Sequence, residues 1–123
     1  MEGYLKRWTG ILSRWKMNYF VLHNNILLYC QEKGSNTLGT IHLKISSILL
    51  IPDDPLRIII NSGTKEIILR AADINEKIKW VNALRDAQEK CFKEDQKSID
   101  IDNVKIDGNL GETKELKIYF YYY

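Results

Sequence analysis

The stretch KRWTGILSRWKMNYFVL, residues 6 to 22, sets four cationic side chains, Lys6, Arg7, Arg14 and Lys16, around a loop whose tip reads Gly10-Ile11-Leu12. Cations attract phosphates, carboxylates and anionic surfaces, whereas bare aliphatic side chains gain free energy only where water is removed from them. That combination suits non-covalent contact. Three destinations are open to Ile11 and Leu12: a loop folded back on its own sheet, a protein partner, or the interfacial layer of a membrane. Trp8 and Trp15 flank the loop, and each would serve either as an interface anchor or as packing against a strand edge.

The remaining chemistry-bearing residues assemble nothing. There is no nucleophile elbow, no glycine-rich loop of the Walker type and no pair of carboxylates on a periodic face, so no catalytic residue is expected. Asp53-Asp54 stands between Pro52 and Pro55 and reads as a turn. His23 and His42 show no metal-ligand spacing with Cys30 or Cys91, and two cysteines make no disulfide framework. Neither a metal nor a cofactor is expected, and a reducing, cytoplasmic setting is the default. The chain begins Met1-Glu2-Gly3 without an apolar leader, and no apolar run is long enough to span a bilayer, so any membrane contact is expected to be peripheral.

These residues must be positioned by a chain of 123 residues, 45% of them hydrophobic, which is one domain's length with enough apolar content for a core. A formal charge of +2 does not argue for nucleic acid. Its distribution is more informative: basic residues outnumber acidic ones five to two over residues 1–33, are balanced over 34–91, and fall behind over 92–123. The positive excess surrounds the quoted loop.

Alternation predicts a strand over 3–9 with Leu5 inward, a loop over 10–15, and a second strand over 16–23 in which Phe20 and Leu22 share a face with Lys16 and Asn18. Asn24-Asn25 supplies a turn before a third strand over 26–31. Further strands are expected over 39–44, 47–51, 56–60 and 66–70, the last two joined across Asn61-Ser62-Gly63-Thr64. At Asp73 the period changes. Asp73 and Glu76 resemble a capping box, and Ile74, Ile78, Val81, Leu84 and Ala87 recur at helical spacing to about Lys90, with Trp80 filling the core beneath the helix. Seven short strands followed by one helix predict a mainly β fold, a bent antiparallel sheet forming a partly open barrel capped by a C-terminal α-helix. Residues 1–91 form that domain. Residues 92–123 are charged and lack a sustained period, so a poorly ordered tail is expected, with a weak strand signal at Ile99, Ile101, Val104 and Ile106.

Gly3-Tyr4-Leu5 with Arg7, then Tyr19-Phe20-Val21-Leu22, then Lys79-Trp80-Val81-Asn82-Ala83-Leu84 together resemble a pleckstrin homology (PH) domain, over residues 1 to about 90. The run MEGYLKRWTGILSRW and the segment GTIHL are similar to the Golgi-directed group found in the FAPP adaptors, oxysterol-binding proteins and ceramide transfer protein. The resemblance implies a peripheral membrane module that reads a phosphoinositide, phosphatidylinositol 4-phosphate in that group, and inserts the loop between its first two strands: Trp8, Thr9, Gly10, Ile11, Leu12, Ser13 and Arg14. The group's head-group motif is a basic residue late in the first strand and a basic-x-basic pair early in the second. Arg7 and Lys16 match it; Asn18 stands where a cation is usual, and Leu38 lies where related domains place polar contacts. Lys33 and His42 are the residues that would compensate. A second reading stays open, in which the same scaffold docks a small GTPase or other protein and strong lipid binding is lost with the missing charge.

Overall fold

The computed structural model describes the backbone of residues 1–100 and the side chains of residues 1–93. The expected tail beyond Asp100, with Ile101, Val104, Ile106 and the terminal aromatic run, lies outside the described residues. Seven strands precede one helix: β1 (Glu2–Thr9), β2 (Arg14–His23), β3 (Ile26–Cys30), β4 (Thr37–His42), β5 (Ser47–Leu49), β6 (Arg57–Asn61), β7 (Glu66–Arg70) and α1 (Ile74–Asp100). They form one antiparallel sheet in the order β4-β3-β2-β1-β7-β6-β5, so β4 and β5 are edges and the sheet does not close on itself. No helix among the described residues is long and apolar enough to cross a membrane.

Period-2 alternation sorts the side chains between the two faces of this sheet. On β1 and β2, Leu5 lies opposite Asn18 and Gly3 opposite Phe20, and Leu5, Asn18 and Phe20 are buried on the concave face. Phe20 continues across to Tyr29 on β3, which pairs with Gly39 on β4. Leu27, Ile41, Ile48, Ile58, Ile60 and Leu69 complete the apolar lining. Fully burying one such side chain is worth about 1.5–3 kcal/mol, so the lining sets the register of every strand.

Strand boundaries differ from the alternation where the chain turns a corner. The predicted strand over 39–44 ends at His42, because Leu43–Ile45 wind into a single 3-10 turn between the edge strands. Leu43 is buried there, and its N–H donates to the carbonyl of Asn25 at 2.7 Å. Leu50 and Ile51 likewise fall outside β5, which is only three residues long.

The helix begins as expected. Asp73 Oδ1 accepts the N–H of Glu76 at 2.8 Å, satisfying one of the donors orphaned in the first turn. Its buried stripe, however, is narrower than the periodicity suggested. Trp80, Val81, Leu84 and Gln88 are buried, whereas Ile74 and Ile78 are about half exposed, at 47% and 51%. The first turn reaches past the edge of the core, so apolar spacing there does not correspond to contact. Gln88 is the polar member of the stripe: its Nε2 donates to the carbonyls of Leu43 and Ser46, both at 2.8 Å. One carboxamide thereby pins α1 to the corner between the edge strands. The helix also runs to Asp100 rather than ending near Lys90, so the backbone of 92–100 belongs to it.

Truncating Trp80 to alanine is expected to cost roughly 3–5 kcal/mol, because the ring is fully buried and the space it leaves opens beneath the helix. Its indole N–H has no acceptor among the described residues, so Trp80→Phe should cost much less. Urea denaturation of both variants measures this; similar losses for Phe and Ala would show that the indole N–H, not the ring volume, matters.

Candidate functional site

The β1–β2 hairpin carries the cations. Arg7 pairs with Lys16 and Trp8 with Trp15, and Thr9 pairs with Arg14 at the neck of the loop. The two indoles meet edge-to-face with ring centroids 5.3 Å apart, and Thr9 Oγ1 donates to the carbonyl of Arg14 at 2.8 Å. Ser13 turns the chain back with φ +49, in the left-handed region, and its hydroxyl donates to the Gly10 carbonyl at 3.4 Å. These contacts stiffen the neck and leave the tip bare. Ile11 is 100% exposed and Leu12 56%. The loop is therefore not folded back on the sheet, and the tryptophans pack on each other.

A second brace reaches the neck from β6. The Arg57 guanidinium lies 5.6 Å from the centroid of Trp15. Arg57 sits directly opposite Arg70 in the β6–β7 ladder, an arrangement of like charges that is unfavourable without an anion nearby. Asp54 supplies it, with one carboxylate oxygen 3.3 Å from Arg57 Nε and 3.4 Å from Arg70 Nε, while the other accepts the Leu56 N–H at 3.2 Å. The Pro-flanked turn thus has a purpose beyond reversing the chain.

On the concave face Arg7 is held from two sides. Its Nε donates to Asn18 Oδ1 at 2.9 Å, and its guanidinium lies 4.8 Å from the centroid of the Tyr29 ring. Asn18 is completely buried, so it is not a solvent-facing contact position; it lies beneath Arg7 and orients it. The other amide atom, Nδ2, is buried without a partner. Lys16 is half-buried beside Arg7 on the facing strand. Sequence reasoning missed a third cation: Lys65 Nζ approaches the same Tyr29 ring, 5.5 Å from its centroid. Its parity was legible, because Lys65 continues the alternation of buried Ile67 and Leu69 toward the end of the sheet, but its approach to Tyr29 was not. Gly39 also gains a role. A Cβ there would stand 2.6 Å from Tyr29 Oη and 2.7 Å from the ring carbon bearing it, so only glycine leaves the ring where the cations meet it.

Two of the expected compensating residues do not join this group. His42 pairs with Ile26, which pairs with His23, so the register takes His42 to the far end of the sheet from Arg7 and Lys16. Lys33 lies in the β3–β4 connection, and its backbone N–H donates to Tyr4 Oη at 3.4 Å. Tyr4 belongs to the convex face, where its ring meets Tyr19 at 4.9 Å, so the Lys33 backbone is tethered on the face opposite Arg7. Leu38 is exposed beside the irregularity in the β3–β4 ladder.

Asp54 is taken up by Arg57 and Arg70, and among the described residues no carboxylate pairs with Arg7, Lys16 or Lys65. The concave mouth gathers Arg7 and Lys65 on one ring, with Lys16 opposite Arg7 and no carboxylate partner for any of them among the described residues. No cluster of metal-ligating side chains occurs among the described residues. A cleft of about 540 Å³ exists, but at the opposite end, between α1 and the β2–β3 turn, lined by Leu22, Asn24, Asn25, Ala83, Ala87 and Cys91 among others. It contains none of the mouth cations.

A protein-family model described as PH domain matches residues 1–89. Pleckstrin homology domain-containing family A member 8 of Danio rerio is 33% identical over 92 residues, covering 72% of this chain and 17% of that protein. Human oxysterol-binding protein-related protein 10 is 35% identical over 91 residues, 69% of this chain and 12% of that protein. The chain thus spans less than a fifth of either relative. The solution structure of the PH domain of human oxysterol-binding protein-related protein 11 superposes with a TM-score of 0.66 at 26% identity, covering 73% of this chain and 80% of that one. The C-terminal PH domain of pleckstrin, in complex with an inositol pentakisphosphate, shares the fold with a TM-score of 0.65 at 24% identity, covering 72% of this chain and 93% of that one.

Asp54 carries a pH prediction. Burial raises its pKa, but the Leu56 N–H and the charges of Arg70 and Arg57 outweigh that and hold it below the ordinary carboxylate value. A carboxyl with a depressed folded-state pKa stabilises the fold above its unfolded pKa, and that stability is lost as pH falls through the folded value. Asp54→Asn should therefore lower stability near neutral pH and flatten its decline in acid. Urea melts at about pH 7 and about pH 3 measure both slopes; parallel declines would show that Asp54 is not a stabilising anion.

Proposed function

The chain belongs to the PH-domain family, and on that premise we propose that it is a peripheral membrane module that binds the head group of phosphatidylinositol 4-phosphate at its concave mouth while Ile11 and Leu12 enter the bilayer. The observation that carries this reading is the adjacency of two features: cations without a carboxylate partner among the described residues on one side of a stiffened hairpin, and an exposed aliphatic pair at its tip, Ile11 fully and Leu12 by more than half. A phosphate oxyanion would complete the first and an acyl layer would cover the second.

Magnitudes support a requirement for both. Burying Ile11 and Leu12 would contribute roughly 1.5–3 kcal/mol each, and each Lys or Arg near an anionic leaflet about 1 kcal/mol. Either contribution alone gives only weak, reversible attachment; together with a charge-assisted phosphate contact they make a two-signal anchor. The 4-phosphate and Golgi membranes are favoured by the likeness to the oxysterol-binding and FAPP-type sequences. Arg7 is the leading head-group contact, since Asn18 and Tyr29 already hold its guanidinium. No catalytic role is proposed.

Ile11→Asp with Leu12→Asp should abolish sedimentation with vesicles containing phosphatidylinositol 4-phosphate and leave the melting temperature nearly unchanged, because neither side chain touches the core. Arg7→Ala should weaken binding roughly tenfold to a hundredfold. If the double variant still sediments with vesicles, insertion is wrong; if the wild-type chain ignores phosphoinositide vesicles altogether, the exposed tip belongs to a protein partner such as a small GTPase.

A further inference from the structure

We propose that Lys65, on the β6–β7 connection, is a head-group contact of the mouth and supplies the positive charge that position 18 lacks. The inference rests on the phosphoinositide reading and assigns that site a residue from outside the β1–β2 hairpin. Asn18 is neutral and fully buried, and its oxygen is spent on Arg7 Nε. An anion in the mouth therefore meets no charge from position 18. Lys65 approaches the Tyr29 ring from the β7 side of β1, the flank away from β2 and β3.

The geometry is specific. Arg7 and Lys65 both address the ring of Tyr29, at 4.8 and 5.5 Å from its centroid, so their charges are separated by no more than the sum of those distances. Two cations gathered on one aromatic ring repel each other, and the ring's weak attraction for each does not remove that repulsion. Neither has a carboxylate partner among the described residues. A phosphate oxyanion between them relieves the repulsion and accepts from both. Tyr29 is then the platform that spaces the two cations, and Gly39 is the position that lets the ring lie there, since a Cβ would overlap the ring body. The half-buried Arg57 and Arg70 on the convex side do not share this arrangement, because Asp54 already matches them.

Lys65 is exposed at a turn, so its truncation leaves the core intact and the variant folded. The test titrates soluble inositol 1,4-bisphosphate into the full 123-residue chain at fixed salt by calorimetry, and in parallel measures sedimentation with phosphatidylinositol 4-phosphate vesicles. Lys65→Ala should weaken both by about tenfold, the loss of one charge-assisted contact. Lys33→Ala removes the same charge from the connection tethered on the opposite face and should change the soluble affinity by less than about twofold. Lys65→Arg should retain most of the binding. In the double variant Arg7→Ala with Lys65→Ala the loss should fall short of the product of the single losses, because both contacts share one ligand. Equal effects of Lys65→Ala and Lys33→Ala on the soluble probe would overturn the proposal. So would a Lys65→Ala loss confined to vesicles, which would make Lys65 a contact to the leaflet surface. A wild-type chain that binds neither probe overturns the phosphoinositide reading itself, and this inference with it.

Discussion

The site depends on the sheet remaining curled, and one stripe of α1 holds the curl. A seven-stranded sheet with unpaired edges has no hydrogen bond joining its two ends, so the ends stay near each other only if something fills the concave side. Trp80, Val81 and Leu84 fill it, and Gln88 ties the helix to the carbonyls of Leu43 and Ser46 at the corner between the edge strands. Remove that stripe and the apolar lining of β1, β2, β6 and β7 faces water. The mouth where Arg7 and Lys65 meet is a consequence of the same curvature at the opposite end of the barrel.

Charge in this protein is arranged by face. On the convex side, Arg57 and Arg70 are adjacent and would repel, yet Asp54 neutralises part of their charge and frees the Arg57 guanidinium to lie over Trp15. On the concave side, Arg7, Lys16 and Lys65 have no carboxylate partner among the described residues. That contrast separates cations that brace the fold from those the proposed function assigns to a ligand. A half-buried ion pair braces the neck of the loop, while the cations at the mouth have no carboxylate partner among the described residues.

The hairpin combines rigidity with exposure. The Trp8–Trp15 contact, the Thr9–Arg14 hydrogen bond and the left-handed Ser13 all act below the tip, so Ile11 projects fully into solvent and Leu12 stays more than half exposed beside it. Pre-organisation of this kind reduces the conformational entropy lost when the tip is immobilised by a membrane or a partner. It also explains why a loop can carry two bare aliphatic residues without endangering the core: they never belonged to it.

Local pattern in the chain was sufficient for the inventory of elements. Alternation identified the strands and the burial of Leu5 and Phe20, Asn24 took the left-handed turn its type favours, and Asp73 capped the helix, because each of these depends on neighbours within a few residues. The inward parity of Arg7 and Lys16 followed from the same alternation, and the ladder sets them opposite each other. Residues whose role depends on distant partners were not legible. His42 shares a plausible composition with the site but lies at the far end of the β4 register, and Ile74 and Ile78 have helical spacing over a part of α1 that overhangs the core. Lys65 reaches Tyr29 although β7 and β3 are three ladder steps apart, about 14 Å in a flat sheet. Only curvature brings them together, and curvature is a property of the whole sheet and its helical plug, which no local window of sequence contains.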